Sequence, residues 1–379
     1  MTAAPRALRL MADDLTGALD TAAEFVALFG PVHAYWHGGD VETLPANAAF
    51  DTGTREAARD DALATVAAFT SMLAGDTLSY KKLDSLLRGC SVAEIATCFR
   101  HGPWTYAVLA PAFPYQGRTT RGGRQYSRAE SGEWKCVSAH LVDALQAENI
   151  AARIAEPDQP LQPGITLFDA ETDADLDDAV QAGLAAPSPV LWCGSGGLAH
   201  ALARAAGRTA PVMPPLRTPI LGLFGSDQPA TAAQLAACGP HWLPLPDGGP
   251  ASAARVLAHL ETEGAAVASI VLPEGLDRAD AAERIGTEMA RLIAQLPPPG
   301  TLIAAGGETL RSLCLSLGAS SLEVQGRIVP GLPSSVLRGG RWDGVAVISK
   351  SGAFGSHELL RDLLKPAAAA AIPQPERLP

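Results

Sequence analysis

Short aliphatic runs that break on a polar or glycine-bearing turn and resume as a helix constrain this chain more than any other feature. Leu8 to Met11 reads as a buried strand, Ala12-Asp13-Asp14-Leu15-Thr16-Gly17 as the break, and Ala18 to Phe29 as an apolar-periodic helix. The grammar repeats. Ala48-Ala49-Phe50 precedes Asp51-Thr52-Gly53-Thr54-Arg55 and a helix from Arg59 to Leu73, and Thr77 to Tyr80 runs into a basic cluster before a helix from Val92 to Phe99. Tyr106 to Ala110 ends on Pro111-Ala112-Phe113-Pro114, and Val190 to Gly197 leads into a helix through Ala205. Such alternation predicts an α/β fold with mainly parallel sheets flanked by helices, whose ligands sit beyond the carboxyl ends of the strands.

A length of 379 residues exceeds what one hydrophobic core usually serves, so two domains are expected. Pro211 to Pro219 holds four prolines in nine residues and reads as a linker, because proline prevents regular structure and stiffens the chain. The expected division is a domain over 1–210, a linker over 211–219, a domain over 220–365 and a poorly ordered Ala- and Pro-rich tail over 366–379. The second domain repeats the pattern. Ile220 to Phe224 ends in Gly225-Ser226-Asp227, Thr301 to Ala305 in Gly306-Gly307-Glu308-Thr309, and Val345 to Ser349 in Lys350-Ser351-Gly352-Ala353-Phe354-Gly355. Val267 to Leu272 is a further strand and Ala281 to Leu296 a helix.

With 47% hydrophobic and 18% charged residues the chain is globular, and a net charge of -11 disfavours a general role on nucleic acid or an anionic membrane. Neither a signal peptide nor a membrane span fits the N-terminal run, so a cytoplasmic location is expected. The six cysteines show no CxxC spacing and read as reduced, mostly buried thiols, and the histidines form no metal-ligand pattern.

Chemistry concentrates in Tyr80-Lys81-Lys82-Leu83-Asp84-Ser85-Leu86-Leu87-Arg88-Gly89. Lysine offers compact charge, arginine a planar fork for carboxylate or phosphate, and aspartate can take a hydroxyl proton. Asp13 and Asp14 also suit a helix cap, but a cap needs only one carboxylate. Four polar strand ends, through Asp14, Arg55, Lys82 and Arg118, therefore predict one site for a small acidic molecule. The stretch from Gln116 to Gly132 lacks periodicity and is expected to be a long functional loop. Glycines at the strand ends near Ser226, Gly307 and Gly352 predict a nucleotide pocket that is neither a P-loop nor a protein-kinase site.

These pieces, in this order, resemble the four-carbon acid sugar kinase family. They are residues 12–18, Asp51-Thr52 with Arg55, Lys81-Lys82-Leu83-Asp84-Ser85 with Leu87-Arg88-Gly89, and Ala110-Pro111-Ala112-Phe113-Pro114 with Gly117-Arg118-Thr119. Gly306-Gly307-Glu308-Thr309, Pro330-Gly331-Leu332-Pro333 and residues 350–355 complete the set. Leu86 and Cys90 depart from the Thr and Asn usual at those positions. The resemblance implies an N-terminal domain for the acid sugar, a C-terminal domain for ATP with Mg²⁺, and transfer in the cleft between them, with a homodimer possible. It places Asp13, Asp14, Arg55, Lys82, Asp84 and Ser85 at the acid sugar, and the density of the charged cluster adds Lys81 and Arg88 to them. Ser226, Gly306, Gly307, Glu308, Thr309, Lys350 and Gly352 fall to the nucleotide. Arg55 with Lys81 and Lys82 would hold the substrate carboxylate, Lys82 would also serve the transfer, and Asp14 or Asp84 would receive the hydroxyl proton; the metal ligands stay unassigned. Two other classes remain open: an ATP-independent sugar-acid lyase or epimerase, and a nucleotide-sensing binding protein.

Overall fold

The computed structural model describes residues 7–36, 44–129, 131–209, 211, 213–225, 229–273, 275–352 and 354–365. Ser226 and the tail after Lys365, both named above, lie outside these residues. The chain divides into two compact units between Pro211 and Val212.

The first unit opens with β1 (Leu8–Ala12), α1 (Leu15–Phe29), β2 (Val32–Tyr35), β3 (Ala48–Asp51), α2 (Arg59–Thr70), β4 (Leu78–Lys82), α3 (Ser91–His101) and β5 (Tyr106–Ala110). It continues with β6 (Arg118–Arg121), β7 (Arg124–Arg128), β8 (Trp134–Cys136) and α4 (Leu141–Ala147). After these come β9 (Ala152–Ile154), β10 (Gly164–Leu167), α5 (Asp173–Leu184), β11 (Val190–Gly194) and α6 (Gly196–Ala205). Its main strands run in the order β2-β3-β1-β4-β11-β5-β10-β9, every neighbouring pair parallel. The chain leaves β1 for β2 and β3 on one side and β4 on the other, so the strand order reverses at β1, where open α/β sheets bind their ligands.

Side chains alternate along β4, and this sorts the two lysines. Tyr80 packs its ring edge-on to Phe25 of α1 and donates its hydroxyl to the carbonyl of Ser195, the N-cap of α6. Lys82 shares that parity. Lys81 and Leu83 face the other way, Leu83 into the apolar cluster of Met11, Ile95, Leu109, Leu191 and Cys193, and Lys81 onto Glu94 of α3. The strand was expected to stop at Tyr80 and instead continues through Lys82, because both lysines pair with β1 or β11: Lys81 lies opposite Met11, and Lys82 opposite Gly194.

The expected long loop is a second correction. Residues 118–121, 124–128 and 134–136 form an antiparallel three-stranded sheet, β6-β7-β8, with Arg118 opposite Ser127 and Thr120 opposite Gln125. Its strands are short and polar, so they carry no apolar alternation for a sequence reading to register.

The second unit holds β12 (Ile220–Phe224), α7 (Pro229–Ala237), β13 (Trp242–Leu245), α8 (Pro250–Glu263), β14 (Ala265–Ile270), α9 (Arg278–Ile293), β15 (Thr301–Ala305) and α10 (Gly307–Leu317). A hairpin of β16 (Ser321–Val329) and β17 (Leu332–Arg338), then β18 (Ala346–Lys350) and α11 (Leu359–Leu363), complete it. The order is β13-β14-β12-β15-β18-β17-β16, parallel through β18 and antiparallel thereafter. Here the order reverses at β12, so the loops after β12 and β15 frame the ligand position. Four of the six cysteines are buried and all are free. Among the described residues no helix is long and apolar enough to cross a membrane.

Candidate functional site

At the first unit's switch point the loops after β1, β3 and β4 meet around Arg55. Its Nε and Nη2 donate to Asp13 Oδ2 and Oδ1 at 2.9 and 2.7 Å, while Nη1 and Nη2 donate to Asp14 Oδ2 and Oδ1 at 2.5 and 2.9 Å. One guanidinium thus grips two carboxylates as a double fork. Asp14 also caps α1, accepting the Gly17 N–H at 2.7 Å. Burial pushes the Asp14 carboxyl above the usual carboxylate range, with Arg55 opposing and Asp13 reinforcing the rise.

Asp84 is set the other way. Burial disfavours its charge, but Arg88 holds it through Nε and Nη2 at 2.7 and 2.8 Å, and with Arg55 and Lys82 keeps the carboxyl well below the usual range. Arg55 lies a further 3.8 Å from Asp84 Oδ1. The Asp84 loop is strained at Leu87, which sits at φ 54°, and turns at Gly89, whose φ of 71° glycine adopts freely. A Cβ on Gly89 would come within 2.6 Å of the Arg55 carbonyl, so glycine there lets the loops after β3 and β4 touch.

Lys82 is buried at 6% exposure and donates to the Leu83 carbonyl at 2.7 Å, leaving two N–H donors unspent. A Cβ on Gly17 would lie 2.7 Å from Asp14 Oδ1 and 3.0 Å from Lys82 Nζ, which places that amine beside the first turn of α1. Ser85 is half-buried in the same loop.

Two of the expected substrate contacts change here. Lys81 is fully buried, 2.7 Å from Glu94 Oε2 on the far face of the sheet, and is withdrawn from the site. Arg55 stays in the site, with Nε, Nη1 and Nη2 all donating to Asp13 and Asp14. Sequence reasoning missed Gln125. This fully buried side chain donates to the carbonyls of Ser85 and Pro111 at 2.9 and 3.3 Å and accepts the Thr120 hydroxyl at 2.7 Å, tying β7 to the Asp84 loop.

In the second unit Gly306 stands at φ 93°, just before α10, whose first turn has no side-chain cap and begins with Gly307, Glu308 and Thr309. Bare N–H groups at a helix start suit an anion. A Cβ on Gly225 would meet Thr309 Oγ1 at 2.6 Å, so the ends of β12 and β15 are in contact. Gly306 in turn donates its N–H to the Lys350 carbonyl at 3.1 Å, joining β18 to them.

Lys350 is fully buried, with Nζ 3.3 Å from the Gly352 carbonyl and 3.5 Å from Thr231 Oγ1. Burial lowers it to about 8, and among the described residues no carboxylate pairs with it. Thr231 and Gln234 of α7, one turn apart, were not visible as site residues. Thr231 donates to the Gly352 carbonyl at 2.8 Å, and the Gln234 amide meets the carbonyls of Phe354, Gly355 and Ser356 at 2.9, 3.1 and 2.9 Å. The Pro330-Gly331 segment is the turn of the β16–β17 hairpin, where a Cβ on Gly331 would strike the Phe354 ring at 2.6 Å. The strand ends of the second unit therefore form one bonded cluster.

Residues 8–132 and 128–202 match the sugar-binding N-terminal domain, and residues 221–360 match the nucleotide-binding C-terminal domain. The chain is 32% identical to the D-threonate kinase of Bordetella bronchiseptica, the match covering 93% of this chain and 95% of that one. It is 31% identical to the D-threonate kinase of Cupriavidus necator over the same shares, 93% and 95%. A 3-oxo-tetronate kinase of Pseudomonas savastanoi is 28% identical over 70% of this chain and 73% of its own. Among solved structures, a Salmonella typhimurium protein described as a tRNA synthase superposes with a TM-score of 0.72 at 20% identity, covering 93% of this chain and 98% of that one. A Haemophilus influenzae protein gives 0.68 at 19% identity with coverage of 93% and 98%. At such identities these two structures speak for the fold. Matches to both domain models over most of the chain, and relatives above 30% identity along its length, place it: the chain belongs to the four-carbon acid sugar kinase family.

Proposed function

We propose that this protein is an ATP-dependent kinase that phosphorylates the terminal hydroxyl of a four-carbon acid sugar, with D-threonate the first acceptor to test. The observation that carries this reading is the pair of differently tuned carboxylates at the first unit's switch point. Asp14, raised by burial, is the better suited of the two to take a hydroxyl proton, whereas Asp84, held ionised by Arg88, is a poor acceptor and an electrostatic anchor. The base falls to Asp14. Arg55 keeps that carboxylate aimed, and Lys82, with donors to spare beside it, stabilises the oxygen that attacks. Ser85 lies in the same loop as a neutral hydrogen-bonding group for the sugar hydroxyls.

In the second unit, the uncapped first turn of α10, beginning at Gly307, offers backbone N–H groups to phosphate, and Lys350 is a buried cation that among the described residues lacks a carboxylate. These residues fit a nucleoside triphosphate. ATP would supply the γ-phosphoryl group and Mg²⁺ the charge that offsets it. Among the described residues no group of three or more His, Cys, Asp or Glu is arranged to hold a metal. The ion would accordingly be carried on the phosphates, with Glu308 the carboxylate that the start of α10 offers.

An ADP-release assay over D- and L-threonate, D- and L-erythronate and 3-oxo-tetronate tests the proposal. Acid-dependent ADP formation is expected. An acid converted without ATP, or ligand binding with no product in any combination, would reject it.

A further inference from the structure

We infer that Arg118 of β6 is the guanidinium that receives the acceptor's carboxylate and so selects an acid over an uncharged sugar. This rests on the acid-sugar kinase reading and names a contact for the same site. An acid substrate bound out of water needs a cation with unspent donors. The cations around the first unit's switch point differ in that respect. Lys81 is taken by Glu94, Arg55 by Asp13 and Asp14, and Arg88 by Asp84. Lys82 keeps free donors, but it sits beside Asp14, where the reacting hydroxyl belongs. Arg118 remains.

Its surroundings point it at the same loop. Arg118 and Thr120 lie two residues apart on β6, with Ser127 and Gln125 opposite them, so these four side chains share one face of the small sheet. That face touches the Asp84 loop, because Gln125 bonds the Ser85 carbonyl from it. The Arg118 guanidinium spends Nη1 on the carbonyls of Gln116 and Gly117 at 2.6 and 3.2 Å, while its Nε is buried without a partner. Among the described residues it has no carboxylate. Burial pulls its ionisation below the usual arginine range, with the charge of Asp84 opposing and that of Arg88 reinforcing the fall. A buried guanidinium N–H without a partner, on the sheet face that bonds the Asp84 loop, calls for an acceptor oxygen. A planar fork is also the group that binds a carboxylate in two places.

The test compares D-threonate with its uncharged amide, D-threonamide, in wild type, Arg118→Met and Arg118→Lys. For Arg118→Met, kcat/KM on D-threonate is expected to fall roughly 10- to 150-fold, the scale of one charged hydrogen-bonded contact. The loss should appear in KM, with the amide changed by less than about threefold and Arg118→Lys recovering part of the acid's affinity. Calorimetric ATP binding, measured alongside, should match wild type. Equal losses on acid and amide would show a structural role and overturn the inference, as would an unchanged preference for the acid. Wild type that turns over no tetronate at all would remove the kinase reading and this inference with it. Wild-type turnover with an indifferent Arg118→Met would remove the inference alone.

Discussion

Lys81 and Glu94 should respond in opposite ways when removed singly and together. Their charged atoms lie 2.7 Å apart with side-chain exposures of 0% and 2%. Lys81→Met keeps the apolar stem and deletes the ammonium, leaving a carboxyl in the core between α3 and β4. Neutralising a carboxyl at pH 7 from a reference value of about 4.3 costs about 3.7 kcal/mol, which caps the penalty of leaving it charged. That cap falls within the roughly 3–5 kcal/mol typical of a broken buried pair. We therefore expect Lys81→Met to destabilise the first unit by about 3 to 3.7 kcal/mol, and Lys81→Met with Glu94→Leu to return within about 1 kcal/mol of wild type. Lys81 is held above its ordinary 10.5, since Glu94's charge outweighs the opposing effect of burial. Its contribution is thus whole below pH 10.5 and is lost only as pH rises through the elevated value, so a neutral measurement sees all of it. Hydrogen exchange of peptides spanning 78–101 reads the local opening energy without assuming that both units unfold together. The double variant should retain turnover. If it is as stable as wild type but inactive, Lys81 serves the substrate and its assignment to the core is wrong.

The two carboxylates should separate kinetically. Asp14→Asn is expected to lower kcat by 10²-fold or more, on the order of 2–4 kcal/mol, and to abolish the limb on which rate rises with pH through Asp14's elevated value. Asp84→Asn should keep that limb and lose acceptor affinity instead; steady-state pH profiles of both variants check this. For Lys350, protonated below about 8, nucleotide affinity should weaken as pH rises through that value. Calorimetry on Lys350→Arg should show a flat profile over the same range, and on Lys350→Met a loss of roughly tenfold or more.

The central strands were legible because they are aliphatic on both faces and end in proline or glycine. Tyr106–Ala110, Ile220–Phe224 and Thr301–Ala305 fall where the aliphatic runs predict. Less legible were segments whose structure depends on partners. Residues 118–128 become strands by pairing with each other, since Thr and Arg at those positions give no apolar period. The hairpin of Ser321–Val329 and Leu332–Arg338 passed unseen because register shifts near Gly326 interrupt its alternation. The acceptor loops were found from charge density alone, but their internal pairing was not. Nothing in the order of residues says that Arg55 is occupied by Asp13 and Asp14, or that extending a strand by two residues sends Lys81 and Lys82 to opposite faces. Thr231 and Gln234 lie outside every charged or glycine-rich stretch, Gln125 is a neutral side chain among arginines and glycines, and all three gain meaning only from the carbonyls they bond.

The composition of ions at the acceptor end has a consequence for how a reaction cycle finishes. Arg55, Lys82, Arg88 and Arg118 stand against Asp13, Asp14 and Asp84, an excess of a single positive charge that a monoanionic acid cancels. Once a phosphoryl group carrying about 1.5 to 2 further negative charges has been added, the same surroundings are overfilled with anion. On the proposed reading, departure of the product is favoured by its charge mismatch with these fixed residues.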